Sequence, residues 1–231
     1  GEITAGRCVQ VLIGLNAASG NAQLTSPNNQ NTLVVEVTSE LGVADDSGSL
    51  ALDFVTDDSV NVSATVDAQI SFTISDTAIG FGPLAVANVR YATADATGSD
   101  TDSAAAHTMA VATNAATGYA VTYNGPTLTS GANTIDVAAI TNDADGTAGA
   151  EQFAMGFSTS GDATITAAYD HNAVAGSRDW AFVASTTTSI ASEIAPTATE
   201  TISAFYLANI AATTQPGTYQ TDITYIATGT F

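Results

Sequence analysis

The sequence predicts an all-β protein, an antiparallel sandwich or barrel. Three features carry that expectation. Apolar residues recur with a period of two rather than about 3.6, turn-forming clusters punctuate the chain at short intervals, and no stretch has the spacing of an ordinary helix. The clearest run is Val60 to Ile74. There Val60, Val62, Ala64, Val66, Ala68, Ile70, Phe72 and Ile74 alternate with Asn61, Ser63, Thr65, Asp67, Gln69, Ser71 and Thr73. In a strand this puts one face against a core and the other in water, whereas a helix would scatter the same apolar residues around its circumference.

The elements follow in order. Residues 1–16 hold one alternating set, Val9, Val11, Ile13 and Leu15. A polar stretch from Ser19 to Thr32, with Pro27, then separates them from the rest, so 1–16 reads as a strand on a flexible linker. Residues 17–231 read as a single sandwich domain in which 17–57 differ in texture. Two strands are expected there, Leu33–Val37 and Leu50–Val55, around Asp45-Asp46-Ser47-Gly48. Beyond Ile74, alternation marks Tyr119 to Tyr123 before an Asn124-Gly125 turn. It recurs at Phe153 to Phe157, Ala163 to Tyr169, Trp180 to Phe182 and Ile202 to Ile210. The last set is Tyr219, Ile223, Tyr225 and Ala227, after a Gln215-Pro216-Gly217 turn. The Ala-rich stretch Ser103–Ala116 is the best helix candidate, yet Thr108, Val111 and Thr113 favour a strand.

Composition narrows the function. The chain has 231 residues, 23 acids, three arginines and no lysine, for a net charge of −20. Such a chain lacks the basic face that nucleic acid or anionic lipid requires. No apolar run is long enough for a transmembrane helix, so no membrane insertion is expected. Low charge, abundant Thr, Ser, Ala, Gly and Asn, and a first residue other than Met suggest an exported protein from which a leader has been removed. The lone Cys8 rules out an internal disulfide and a cysteine zinc site. It can be a small hydrophobe, carry a modification or pair with another chain.

Catalysis finds little support. His107 and His171 are the only histidines, both expected at the surface, and no G-x-S-x-G elbow occurs. The acidic pairs Asp45-Asp46, Asp57-Asp58, Asp100/Asp102 and Asp143/Asp145 sit in expected loops without the burial that a general acid needs. Those loops suit calcium better. Around Asn142-Asp143-Ala144-Asp145-Gly146, the side chains of Asp143, Asp145 and Glu151 are candidate oxygen donors outside any EF-hand register. Asp and Asn are equally good turn formers. No cofactor is required. Asn61-Val62-Ser63 is a candidate N-glycosylation site, and its asparagine falls on the wet face. Tyr91 and Trp180 are the candidate aromatic platform for a sugar.

Two stretches carry a family resemblance. Val60–Ile74 followed by Ile79-Gly80-Phe81-Gly82, and the closing Gln215-Pro216-Gly217-Thr218-Tyr219-Gln220-Thr221-Asp222-Ile223, resemble secreted pilin-like domains of the spore-coat-U and chaperone–usher types. The resemblance covers roughly residues 60–84 and 200–231. Chaperone–usher pilins usually hold a disulfide, which this chain cannot form. The resemblance implies an immunoglobulin-like or jelly-roll-like antiparallel β-sandwich, completed by an N-terminal strand from a neighbouring subunit. It implies Val9, Val11, Ile13 and Leu15 as the donated strand. Val62, Val66, Ile70, Phe72, Tyr219, Ile223 and Tyr225 would then line the core or groove.

The same apolar pattern at residues 8–15 also fits an ordinary strand of the protein's own domain. The expected function is a non-catalytic subunit of an extracellular filament, a pilus or fimbria, polymerising head to tail with itself. Such a fibre could meet ligands on a host or neighbouring cell. The alternatives are a non-polymerising surface adhesin or carbohydrate-binding module, or a surface-layer or virion structural protein.

Overall fold

The computed structural model describes residues 32–38, 47–53, 60–102, 104–141, 145–171 and 178–231. The chain divides into two compact units, Gly1–Thr65 and Val66–Phe231. In the first, β1 (Thr32–Thr38) and β2 (Ser47–Asp53) form an antiparallel ladder that pairs Val35 with Leu50. Ser47 and Gly48 lie within β2 rather than in the turn where the sequence puts them.

The second unit is a two-sheet antiparallel sandwich. Its strands are β3 (Ile70–Ile74), β4 (Arg90–Tyr91), β5 (His107–Thr113), β6 (Tyr119–Asn124), β7 (Thr129–Ser130), β8 (Asn133–Thr134), β9 (Ala139–Ile140), β10 (Gln152–Thr159), β11 (Thr164–Ile165), β12 (Trp180–Ala181), β13 (Thr188–Glu193), β14 (Thr197–Asn209) and β15 (Thr224–Gly229). The larger sheet runs β3-β5-β14-β10-β12-β9, with β4 also pairing to β14. The smaller runs β11-β13-β6-β15, and β7 and β8 make a separate small hairpin.

Period two explains most of these strands. Along β5, His107, Met109, Val111 and Thr113 are buried, and the residues between them are partly exposed. In β6, Tyr119, Val121 and Tyr123 point inward in the same way. These faces meet Phe153, Met155 and Phe157 of β10 and Ile202, Ala204 and Tyr206 of β14 in one apolar core. Ring contacts tie the layers, with Phe153 and Phe182 at 4.7 Å and Tyr123 and Phe182 stacked at 5.3 Å. The Ala-rich stretch is a strand, because inward Met109 and Val111 bury completely as a pleated face. Strand β13 breaks the simple alternation with a bulge between Ser189 and Ala191, which leaves Ile190 and Ala191 both buried.

The middle of the larger sheet is buried on both faces. Ala154 of β10 and Leu207 of β14 pack with Tyr91, Ile140 and Trp180 in a second cluster. Gly156 permits this covering layer, since a Cβ there would lie 2.9 Å from the Cβ of His171.

The long alternating run does not form one long strand. Only Ile70–Ile74 pairs, and its partner β5 ends at Thr113 opposite Ile70. Val62 and Val66, expected to line the core or groove, are instead 86% and 85% exposed. They have no neighbouring backbone in the described chain to make a sheet with. Ile70 is 38% exposed, while Phe72 packs against the core. Residues 219–223, expected as strand, are irregular before β15, and Ala167–Tyr169 form a single 3-10 turn. The segment Val9–Leu15 lies outside the described residues.

These contrasts are measurable by denaturant unfolding. Phe157→Ala removes a fully buried ring and is expected to cost about 3–5 kcal/mol. Val62→Ala, at an exposed position, is expected to stay within about 0.5 kcal/mol of the parent chain.

Candidate functional site: an open groove between the sheets

On one flank, both sheets of the sandwich end in a strand with one partner. β3 pairs only with β5 and β15 only with β6, and the two edge strands approach each other. Each therefore has an edge whose backbone N–H and C=O groups no described strand pairs. A cavity of about 850 Å³ opens at this flank, at the Ile74 end of β3.

Its floor is aromatic with a polar thread. His107 Nε2 and the Tyr206 hydroxyl are 2.8 Å apart, and the Tyr206 and Tyr225 hydroxyls 2.5 Å. Tyr225 in turn donates to Met155 Sδ at 3.5 Å. Burial raises the pKa of both tyrosines, so they stay protonated at neutral pH. Burial also lowers the pKa of His107, which favours the neutral ring.

One wall is the loop from Asp76 to Leu84, which places Ile79, Phe81 and Leu84 against the core. Arg90 fixes this loop. Its Nε donates to the Phe81 carbonyl at 3.1 Å, its Nη2 to the Thr97 carbonyl at 2.8 Å and its Nη1 to Asp100 Oδ1 at 2.7 Å. Gly98 (φ +68°) is needed beneath it, because a Cβ there would fall 1.9 Å from the Phe81 carbonyl oxygen. Nearby, the Thr93 and Thr97 hydroxyls donate to Asp95 and hold its carboxyl below the usual pKa.

The opposite wall is the segment from Thr214 to Ile223. Reciprocal backbone hydrogen bonds of 3.0 Å between Thr129 and Gln220 clip it down. Tyr219 donates to the Gln215 carbonyl at 2.9 Å, and Thr221 to the Pro126 carbonyl at 2.6 Å. Tyr219, Ile223 and Tyr225, named as groove residues from the sequence, therefore line the groove together and pack against the core. Sequence reasoning missed His107, Tyr206 and Phe153 in the floor and the whole Asp76–Leu84 wall. The Ile79-Gly80-Phe81-Gly82 motif was the one available signal for that wall.

The histidines are not at the surface, contrary to the sequence expectation. His107 and His171 are both buried. Asp102, expected in an exposed loop, is buried as well, with its Oδ2 2.6 Å from His171 Nε2 and 3.1 Å from Arg178 Nη1. The His171 ring stacks on Phe205 at 3.9 Å and meets Trp180 edge-on at 4.6 Å. This ion pair thus lies in the covering layer of the larger sheet, and His171 is not among the residues lining the groove. Tyr91 and Trp180 belong to the same layer and are buried, which removes them as a sugar platform.

The calcium candidates are dispersed in role. Asp143 lies outside the described residues. Asp145 is exposed and 3.8 Å from Arg178 Nη1, and Glu151 accepts a hydrogen bond from the Thr214 hydroxyl. Among the described residues, no three His, Cys, Asp or Glu side chains converge as a metal site. Asn61 is exposed. No helix among the described residues is long and apolar enough to cross a membrane. No family model matches the chain, and no curated protein or solved structure matches it.

The buried neutral His107 gives a pH signature. The unfolded imidazole takes up its proton near pH 6.5. The folded one does so only at lower pH, so acidification favours unfolding. The stabilising contribution is full above about pH 6.5 and is lost as pH falls from there toward the lower folded value. Thermal melts of the parent chain and of His107→Gln should therefore diverge in slope in that acidic window, with the parent losing more melting temperature. Parallel profiles would refute the assignment.

Proposed function

We propose that the chain is a structural subunit of an extracellular filament, a pilus- or fimbria-like appendage, in which one copy accepts a β-strand from the next. The observation that supports this reading is the flank where both sheets end in edges that no described strand pairs, with an apolar groove between them. A docked strand would satisfy the edge N–H and C=O groups and set alternate side chains into the groove. Four apolar side chains of the Val9, Val11, Ile13, Leu15 kind would contribute on the order of 6–12 kcal/mol before ordering costs. Strand and groove are different surfaces, so their union is heterologous and propagates as an open fibre.

The composition agrees with this role outside the cell. With no lysine and a net charge of −20, nucleic acid and anionic membrane are poor partners. No catalytic residue is assigned. His107 is held within the groove floor, and His171 is hydrogen-bonded to the buried Asp102 side chain. Calcium at Asp143, Asp145 and Glu151, and a glycan on Asn61, would be accessory to assembly rather than required for it.

Negative-stain electron microscopy of the purified chain tests the reading. Filaments are expected, with and without added calcium. Discrete particles under both conditions would overturn the filament and leave a non-polymerising adhesin or sugar-binding module. A Val11→Asp, Ile13→Asp variant of the same chain then reports whether residues 9–15 are a donor.

A further inference from the structure

The described chain offers a second strand of the right kind. Residues 60–69 contain no helix, turn or bend, and every one of them is exposed. Val60, Val62 and Val66 are 88%, 86% and 85% exposed, the largest values among the exposed valines. With Ala64 and Ala68 they would form one apolar face in an extended chain, and Asn61, Ser63, Thr65 and Asp67 would form the polar one. Asp67 is the segment's single charge in a chain with 23 acids. Among the described residues, no hydrogen bond is made by residues 60–66.

Such a row of exposed valines is costly in water unless something covers it. Among the described residues, no strand or isolated bridge pairs with residues 60–69. Asn114 holds the segment in line with β3, accepting from the Gln69 N–H through Oδ1 and donating to the Asp67 carbonyl through Nδ2, both at 2.8 Å. The segment therefore leaves from the Ile70 end of β3, whereas the groove opens at the Ile74 end. Folding back into its own groove would need a reversal, and Val60 to Ile74 contains neither Gly nor Pro.

We propose that Val60–Ala68 is the strand that docks into the groove bounded by residues 76–84 and 214–223 of a second copy of this chain. The valine face meets Ile79, Phe81 and Ile223, and the backbone pairs with the free edge of β15. Nine extended residues span about 30 Å, enough to cross the groove and reach the Tyr225 end of β15. The groove offers Ile79, Phe81, Leu84 and Ile223 beside the polar rim of Thr218, Gln220, Asp76 and Asp222, and the segment brings only the single charge of Asp67 to it. This assignment rests on the filament reading for its biological meaning, but not for its test.

The test uses a labelled peptide of residues 60–69 and the full chain carrying Val62→Asp and Val66→Asp. The substituted positions are exposed, so this chain should fold with unchanged near-UV circular dichroism, and its groove should remain open. Saturable binding by fluorescence anisotropy is expected. It should weaken at least about tenfold when the peptide itself carries the two aspartates. Hydrogen exchange should slow at β15 and in residues 76–84 when the peptide is bound.

No binding, or protection elsewhere, would overturn the proposal. Filaments that survive Val62→Asp/Val66→Asp but vanish in Val11→Asp/Ile13→Asp would also overturn it, while leaving the filament standing. Peptide binding by a chain that never forms filaments would do the reverse, sinking the filament reading and keeping the docking site.

Discussion

The sandwich depends on two adjacent strands, β10 and β14, which are covered on both faces. Their eight-residue ladder from Gln152–Asn209 to Thr159–Ile202 is the longest pairing in the larger sheet. One face carries Phe153, Met155, Phe157, Ile202, Ala204 and Tyr206 into the space between the sheets. The other carries Ala154, Gly156, Phe205 and Leu207 into the layer that holds Trp180, Tyr91 and His171. Small residues of β10 alternate with large ones for a steric reason. The aromatic face must fill the core, and the opposite face must admit rings lying almost on the backbone. The groove inherits its floor from the first face, since Phe153 and Tyr206 are the residues over which it opens.

Charge shapes the remaining choices. Three arginines cannot neutralise 23 acids, so buried polar groups are satisfied mainly by hydroxyls. The Tyr123 and Tyr169 hydroxyls meet at 2.9 Å, and Tyr123 also accepts from the Val183 N–H at 2.8 Å. Tyr119 donates to the buried Glu200 at 2.8 Å, whose other oxygen accepts from the Asp162 N–H at 2.7 Å. Arg90 and Arg178 are used where loops must be tied, one at the groove wall and one beside Asp102. Among the described residues both arginines act as structural fasteners.

Period two made β6 legible because one of its faces is buried and the other partly exposed. In β10, covered on both faces, it survives as large Phe153, Met155 and Phe157 alternating with small Ala154 and Gly156. It failed elsewhere. β13 is disguised by its bulge, which places Ile190 and Ala191 side by side in the core and interrupts the alternation. Trp180 and Tyr91 looked like free aromatics because a covering layer on the outside of a sheet leaves no periodic trace in the strands that carry it. The histidines were misplaced for the same reason. Their burial comes from contacts with Tyr206 and Phe205, far away in sequence, and with Trp180 across a loop. Alternation puts Tyr219, Ile223 and Tyr225 on one face, yet the opposite wall is built by Arg90 reaching back to Phe81, a contact that alternation cannot encode.

The run from Val60 to Ile74 brings these points together. Its pattern is uniform for fifteen residues, but its environment changes at Gln69. Past that point β5 supplies a partner and Phe72 and Ile74 pack against the core. Before it, the same alternation faces solvent. An apolar face that no described residue covers has to be explained, because exposed valines favour uncontrolled sheet pairing. The pattern makes physical sense if the missing half of the ladder belongs to another molecule. Local sequence then describes the strand correctly, and what it cannot describe is whose sheet the strand completes.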